Sequence, residues 1–255
     1  MSERKRRRMI AGNWKMYKKR AETRAFFEAF LPLVTDVTDA DIVVAPPYTS
    51  LSVAVDLAEG SNVGVSGQNL DWRKEGAFTG EVSAAMLADA GCKFVIIGHS
   101  ERRQFFGETD SGVAQKTKAA LDAGLTPIVC VGELLQDREE GRTEAVLSQQ
   151  FIGGPASLTG DEFSRILIAY EPVWAIGTGK VATPETAAAA HRFLRQCVAE
   201  QYSAEHAAAV RILYGGSVKP ENIQGLRAQE DLDGALVGGA SLDAKSFADI
   251  VKCKQ

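Results

Sequence analysis

Short apolar runs in this 255-residue sequence are followed directly by side chains that could move a proton. Lys15 follows the first of these runs, His99 follows the fourth and Glu171 follows the sixth. A carboxylate can act as a general base, an imidazole can polarise a carbonyl, and a lysine can balance negative charge. Taken singly, a lysine or a glutamate at a strand end is more often solvated than functional, whereas a lone histidine is as often a structural hydrogen-bonding residue as a catalytic one. Together they indicate proton abstraction beside a carbonyl group.

Glycine-rich turns follow the seventh and eighth apolar runs. Gly215-Gly216-Ser217 and Gly238-Gly239 each lie between an apolar run and a helix start. Such turns present bare backbone N–H groups and the positive end of a helix to a phosphate. Glycine also serves ordinary tight turns. Two such turns in consecutive units, with no nucleotide motif elsewhere, favour a phosphorylated substrate.

The stretch from Ile176 to Lys180 resembles part of a nucleotide-binding P-loop, but the match fails. The P-loop motif requires glycine where Trp174 stands and a hydroxyl side chain where Val181 stands. An ATP site is therefore not expected. Because the segment follows Glu171 directly and has a small, glycine-containing tip, we interpret it as a hinged lid that excludes water from the base.

The elements that must position these residues are eight apolar runs, each followed by helical periodicity or a helix-start signal. The runs are Met9–Ala11, Ile42–Ala45, Val63–Val65, Phe94–Ile97, Pro127–Val131, Ile166–Ala169, Ile212–Tyr214 and Ala235–Val237. Since they are apolar on both faces, they predict an α/β fold, a single-domain closed (β/α)8 barrel whose strand ends share one mouth. An open doubly wound sheet is the alternative, but its Gly-x-Gly-x-x-Gly fingerprint does not follow the first run.

The helices carry signals of their own. Thr183-Pro184 reads as an N-cap and first helical residue, and Gly124 should end the helix before it. An apolar stripe at i, i+4, i+7 and i+8 of the first helix should face the sheet. The stripe consists of Phe26, Phe30, Leu33 and Val34.

Composition excludes several classes of protein. The net charge of −4 gives no general attraction to nucleic acid, and no apolar stretch is long enough to cross a membrane. The basic run from Arg4 to Arg8 is expected to be a solvated arm (residues 1–8) before a barrel domain of residues 9–255. No apolar segment of a signal peptide follows it, and four scattered cysteines fit reduced thiols, so we expect a cytoplasmic location.

Five stretches of the chain resemble signature sequences of the triosephosphate isomerase family, in family order. They are Ala11–Met16, Gly98–Arg103, Ala169–Lys180, Tyr214–Val218 and Val237–Leu242. The twelve residues around Glu171 are specific enough to carry the resemblance nearly alone. It implies a TIM barrel that interconverts dihydroxyacetone phosphate and D-glyceraldehyde 3-phosphate in glycolysis and gluconeogenesis, with neither cofactor nor metal.

The resemblance also implies roles for residues. Glu171 resembles the base that moves the substrate proton, and His99 resembles the neutral electrophile that polarises the carbonyl. Lys15 resembles the cation that balances phosphate and enediolate charge, with Asn13 donating a hydrogen bond to the oxyanion.

Four positions resemble those that bind the phosphate: Gly177, Ser217, Gly238 and Gly239. Glu101 resembles the carboxylate that pairs with Lys15 before substrate arrives, and Ser100, which also follows the fourth run, should support the site. The stretch from Gln68 to Val82 resembles a loop that inserts into a partner subunit near Met16, which implies a homodimer.

Two other functions stay open at this point. Another phosphate-binding barrel, for example one acting on a phosphoribosyl compound, would share the glycine turns but would not explain a glutamate joined to a lid. A noncatalytic binding protein would use the basic arm to hold nucleic acid, in which case deletion of residues 1–8 should abolish salt-sensitive binding. We expect neither nucleic acid nor membrane to be a partner.

Overall fold

A computed structural model describes residues 6–177 and 180–253 of the chain. Within these ranges, eight parallel strands close into a barrel in chain order, with β1 paired to both β2 and β8. The strands are β1 (Arg8–Asn13), β2 (Ala40–Ala45), β3 (Val63–Gly67), β4 (Phe94–Ile97), β5 (Thr126–Val131), β6 (Leu167–Tyr170), β7 (Arg211–Tyr214) and β8 (Gly234–Val237). The predicted (β/α)8 barrel is confirmed.

Helices follow every strand and surround the barrel. They are α1 (Arg20–Val34), α2 (Leu51–Ala58), α3 (Ala84–Asp89), α4 (Ser100–Phe105), α5 (Asp110–Asp122), α6 (Leu135–Glu139), α7 (Thr143–Gly153), α8 (Gly160–Phe163), α9 (Pro184–Gln201), α10 (Ala204–Ala209), α11 (Ile223–Arg227) and α12 (Ala244–Lys252). Among the described residues, none of these helices is long and apolar enough to cross a membrane.

The strands separate two apolar layers, which explains why they are apolar on both faces. Residues such as Ile10 pack outward against the helices, whereas Met9 and Ala11 point into the barrel. Successive side chains of a strand alternate between its two faces, so each strand contributes to both layers. The interior cluster consists of Met9, Ala11, Val43, Ala45, Ile96, Ile128, Cys130, Leu167, Ala169, Leu213 and Leu236.

The apolar stripe of α1 is confirmed except at one position. Phe26, Phe30 and Val34 are buried, but Leu33 is 38% exposed and Phe27 is buried in its place. At about 100° per residue, Leu33 falls roughly 20° outside the edge of the stripe, whereas Phe27 extends it on the other side. The ring of Phe27 packs edge-on to Trp14, with 6.0 Å between the ring centroids.

The predicted helix signals operate as expected. The Thr183 hydroxyl accepts a hydrogen bond from the backbone N–H of Thr186, and Pro184 is the first residue of α9. Gly124 follows α5 with φ +79°, the left-handed conformation that glycine adopts without strain.

The structure differs from the predicted arm at its last three residues. β1 begins at Arg8, whose side chain is buried, rather than at Met9. Arg6 and Arg7 bind carboxylates at 2.7 and 2.6 Å, although the side chain of Arg7 remains half exposed. Residues 1–5 lie outside the described residues.

His191 of α9 is fully buried between this helix and the outer face of the barrel. Its Nδ1 lies 3.2 Å from the carbonyl oxygen of Asp231, and its ring meets Tyr170 edge-on. Burial lowers the pKa of His191 to about 3, so the imidazole is neutral in the folded protein.

We expect His191 to destabilise the fold in acid. An unfolded histidine takes up a proton near pH 6.5, so the stabilisation is complete above that pH and is lost as pH falls towards about 3. His191→Asn should remove up to about 1.4 kcal/mol per pH unit from the pH dependence of the unfolding free energy. Urea unfolding between pH 7 and 4 tests this, with His206→Asn as the matched control. Equal slopes in wild type and His191→Asn would contradict it.

Candidate active site

A cavity of about 740 Å³ opens at the end of the barrel where the strands finish. The structure brings eight of the predicted site residues to its wall. They are Asn13, Lys15, His99, Glu171, Gly177, Ser217, Gly238 and Gly239. The two supporting residues, Ser100 and Glu101, directly follow His99 in α4. Residues far apart in sequence therefore meet because parallel strands end at one mouth.

Glu171 comes immediately after β6 and is only 1% exposed. Its Oε2 accepts the backbone N–H of Ser100 at 2.9 Å, and its Oε1 accepts the Ser100 hydroxyl at 3.1 Å. The same Oε1 lies 2.9 Å from Nε2 of His99. Gly215 makes room for this side chain, because a Cβ there would lie 2.8 Å from Cγ of Glu171.

These contacts keep Glu171 in its basic form. Burial opposes ionisation of the carboxyl, but His99 and the Ser100 N–H outweigh burial and hold the pKa of Glu171 below its usual value. A carboxylate that is ionised at neutral pH and lies beside a cavity has the form that a general base requires.

His99 caps α4, and its Nδ1 accepts the backbone N–H of Glu101 at 3.2 Å. A proton on Nδ1 would place two donors against each other, so we assign the ring proton to Nε2, which faces Glu171. Burial opposes the charged form, but the Glu171 carboxylate raises the pKa of His99 above its usual value in this arrangement. Without the Glu171 contact, burial favours the neutral ring, whose donor at Nε2 is suited to polarise a carbonyl oxygen.

Lys15 occupies the strained left-handed region, with φ +52°. Hydrogen bonds hold its backbone on both sides, from Lys15 N to Asn13 Oδ1 at 3.0 Å and from Gln68 Nε2 to Lys15 O at 2.9 Å. The ammonium group lies 2.5 Å from Oε1 of Glu101, so the ion pair implied by the resemblance is present. Lys15 and Asn13 line the same cavity.

Gln68 is a site residue whose contacts the sequence did not indicate. Besides Lys15, its side chain binds the carbonyl of Ala45 at the end of β2, at 2.8 Å. It directly follows β3, so the rule that found the other site residues, a polar side chain after a strand, also points to it. The resemblance places Gln68 only in the expected partner-binding loop.

The four positions that the resemblance assigns to the phosphate all line the cavity. Gly238 precedes a 3-10 turn, Gly239–Leu242, whose first N–H groups have no partner within the turn. Ser217 follows β7 on the neighbouring wall, and Gly177 reaches the cavity from the lid. Thr178 and Gly179 of the predicted lid lie outside the described residues.

The base of the lid is anchored by a second glutamate that the sequence analysis missed. Glu133 follows β5, and its Oε1 accepts hydrogen bonds from Trp174 Nε1 at 2.8 Å and Tyr170 OH at 3.1 Å. Its backbone carbonyl accepts the N–H of Val173 at 3.1 Å. Burial raises the pKa of Glu133 above its usual value. The guanidinium of Arg138 lies 4.5 Å from the Trp174 ring centroid, so the indole is held on two sides.

Comparison with known proteins agrees with this geometry. The family model described as triosephosphate isomerase matches residues 8–254. The chain is 61% identical to the triosephosphate isomerase of Solibacter usitatus over 96% of this chain and 99% of the relative. It is 55% identical to that of Geotalea uraniireducens over 97% and 98% of the two chains.

A solved structure is similar over the same extent. The crystal structure of triosephosphate isomerase from Bartonella henselae has a TM-score of 0.87 and 38% identity, covering 96% of this chain and 97% of that one. Because sequence, fold and the residues at the mouth of the barrel all agree over nearly the whole length, this chain belongs to the triosephosphate isomerase family.

Proposed function

We propose that this chain isomerises dihydroxyacetone phosphate and D-glyceraldehyde 3-phosphate through an enediolate, a reaction of glycolysis and gluconeogenesis. One observation carries the proposal: the buried carboxylate of Glu171 touches His99 at 2.9 Å and is joined directly to the lid. The phosphate-binding turns of the family's signature stretches lie across the same cavity. Another barrel with only a phosphate site would not need this arrangement.

Each residue has a defined task in the proposed reaction. Glu171 takes the proton from the carbon beside the carbonyl and returns it to the neighbouring carbon. His99 donates from Nε2 to the carbonyl oxygen and then passes protons between the two enediolate oxygens. Lys15 balances the charge of the enediolate and phosphate, and Asn13 donates a hydrogen bond to the oxyanion.

The base must move before it can act. In this structure both carboxylate oxygens of Glu171 are held, by Ser100 and His99, on the cavity wall. Since Pro172 and the lid follow Glu171 without an intervening residue, closure of the lid is suited to turn the carboxylate from Ser100 to the substrate. Ser100 therefore supports the resting base, and Glu101 holds Lys15 until the phosphate arrives.

Both the lid and the glycine turns contribute groups to the phosphate site. Among the residues that line the cavity, Gly238, Gly239 and Ser217 would be the fixed side of the phosphate site in the proposed closure, and Gly177 would be the moving side. Backbone N–H groups are well suited to this task because they bind an anion without adding a competing charge. Closure over the phosphate would bury the reacting carbons beside Glu171.

A coupled assay of glyceraldehyde 3-phosphate isomerisation, run with a chelator present, tests the proposed function. Full activity is expected, because the proposed steps use only side chains and backbone groups of this chain. Absence of activity with either triose phosphate would favour another phosphate-binding barrel. Activity that disappears with chelator would contradict a metal-independent reaction.

We also propose that the chain functions as a homodimer through the loop from Gln68 to Val82. Met16 is 94% exposed beside a second cavity of about 460 Å³, which shares Asn13, Lys15 and His99 with the active-site cavity. Tyr17 and Phe106 are exposed at the same cavity, and Phe78 is exposed on the loop. Large apolar side chains collected in this way are typical of a protein interface.

Thr79→Arg, at the exposed tip of that loop, should produce monomers because a charge buried in the partner's cavity is costly. Since the partner loop would cover Met16 next to Lys15, these monomers should also lose most of their activity. Sedimentation and activity measured at one protein concentration test both effects. Thr35→Arg, at the exposed end of α1, is the matched control, and fully active monomers would refute the coupling.

The cytoplasm is the proposed location of the enzyme. Cys92, Cys130, Cys197 and Cys253 are all free thiols in the structure, which suits a reducing compartment. Burial raises the pKa of both Cys92 and Cys130, so these two thiols are unreactive packing residues rather than redox groups.

A further inference from the structure

The basic run at the start of the chain has no task in the proposed reaction. Arg6 and Arg7 precede the residues that the family model matches and lie where the barrel strands begin, at the end opposite the active site. Side chains at that end of a barrel typically contribute to stability rather than to catalysis. The contacts of these two arginines show what they hold together.

Arg6 joins the start of the chain to the segment that enters β8. Its Nε donates to Asp233 Oδ1 at 2.7 Å, and its two terminal nitrogens donate to the carbonyls of Ala208 and Glu230, each at 3.0 Å. The three nitrogens of the guanidinium therefore all have acceptors. Ala208 lies in α10, which precedes β7, so one side chain links three segments of the fold.

Asp233 is a buried carboxylate that depends on its partners. Its side chain is fully buried, and its Oδ2 accepts Arg195 NH2 at 2.5 Å and the backbone N–H of Ile212 at 2.9 Å. Arg6 supplies the ion pair to the remaining oxygen, Oδ1. Without Arg6, that oxygen would lose its charged donor in a buried position, which is costly.

Arg7 connects two strands at the end of the barrel opposite the active site. Its Nε donates to Asp41 Oδ1 at 2.6 Å, and Asp41 Oδ2 accepts Arg211 NH1, also at 2.6 Å. Asp41 lies two residues before the inward-facing Val43, and Arg211 lies two residues before the inward-facing Leu213. Residues two apart in a strand share a face, so Asp41 and Arg211 belong to the interior side of β2 and β7. The ion pairs thus connect strands on the two sides of the β1–β8 seam.

We propose that Arg6, Arg7, Asp41 and Asp233 form a basal clamp that locks the first strand into the closed barrel. Arg7 also donates to the carbonyls of Thr38 and Ala40, at 2.7 and 3.1 Å, so it fastens the entrance of β2 as well. Because both guanidinium groups are already bound to carboxylates and carbonyls, they hold the fold instead of offering charge to a polyanion. Loss of the clamp should lower the stability of the fold without affecting the reaction at the active-site end of the barrel.

The test compares Arg6→Gln, Arg7→Gln and the double variant with Arg24→Gln, an exposed arginine of α1 for which the described residues provide no ion pair. At one protein concentration and scan rate, Arg6→Gln should lower Tm by about 4 to 10 °C, since its partner is buried. Arg7→Gln should have a smaller effect because its ion pair is half exposed. The kcat and KM at 25 °C should equal those of the wild type.

A double-mutant cycle separates the clamp from a general effect of charge. The Tm loss from Arg7→Gln should largely disappear in an Asp41→Asn background, because the carboxylate that Arg7 holds is then absent. Tm values of all three arginine variants within 1 °C of Arg24→Gln would overturn the proposal. Salt-sensitive binding of double-stranded DNA that is lost in the double variant, without a change in Tm, would also overturn it and assign the arginines to nucleic acid.

Discussion

Replacing Glu171 with aspartate should lower kcat by about 100-fold or more while KM changes little. The change keeps the charge but withdraws the carboxylate by one methylene, and a misplacement near 1 Å costs on the order of 100-fold in rate. The phosphate-binding turns are unaffected, so binding of the substrate should persist. Steady-state kinetics in both directions with Glu171→Asp measure the effect.

Glu185→Asp provides the matched control, because Glu185 lies exposed in the first turn of α9, away from the cavity. Its kcat should equal that of the wild type. If Glu171→Asp folds with an unchanged circular dichroism spectrum and also keeps its kcat, Glu171 is not the base.

Deleting the lid tip, Ile176 to Gly179, should change the products as well as the rate. The enediolate left after proton removal can be reprotonated or can expel its phosphate and give methylglyoxal. Ile176 and Gly177 line the cavity, so the closed lid is placed to hold the phosphate and exclude water. We expect slower isomerisation and a larger fraction of turnovers that release inorganic phosphate.

Phosphate release and methylglyoxal trapping, measured beside the isomerase assay, test this expectation. Glu171→Asp is an internal contrast, because it slows proton removal but retains the whole lid. It should release no more phosphate per turnover than the wild type. If the lid deletion isomerises slowly yet releases no extra phosphate per turnover, the lid only positions groups and does not protect the intermediate.

Much of the fold could be predicted because its signals are local. The core of every strand is an apolar run, and the cap at Thr183 depends on residues three apart in sequence. The strand ends were less certain: β1 extends at both ends of its predicted run because Arg8 and Asn13 pair with β2. Ladder hydrogen bonds are set by the neighbouring strand, which a single apolar run does not reveal.

Most of the candidate site residues could be located from one rule, since every parallel strand delivers its next residues to the same mouth, whereas Gly177 followed only from the resemblance. Contacts that cross the molecule were not predictable in this way. Glu133 binds Trp174 from 41 positions away, and Arg6 binds Asp233 from 227 positions away. In both cases the residue type is ordinary, and only the closed barrel brings the two partners together.

The contact between His99 and Glu171 has a consequence for how the enzyme titrates. In the free protein the two groups share a hydrogen bond, so protons leave them in steps that belong to the pair and not to either residue. In the proposed closed state, where Glu171 has turned from His99 towards the substrate, we expect this coupling to weaken and each group to titrate more nearly alone. The pH dependence of kcat/KM reports the free enzyme, so the pKa read from its acidic limb is a macroscopic value that belongs to the dyad. The pH dependence of kcat reports the enzyme–substrate complex, so its acidic limb should give the pKa of one of the two separated groups.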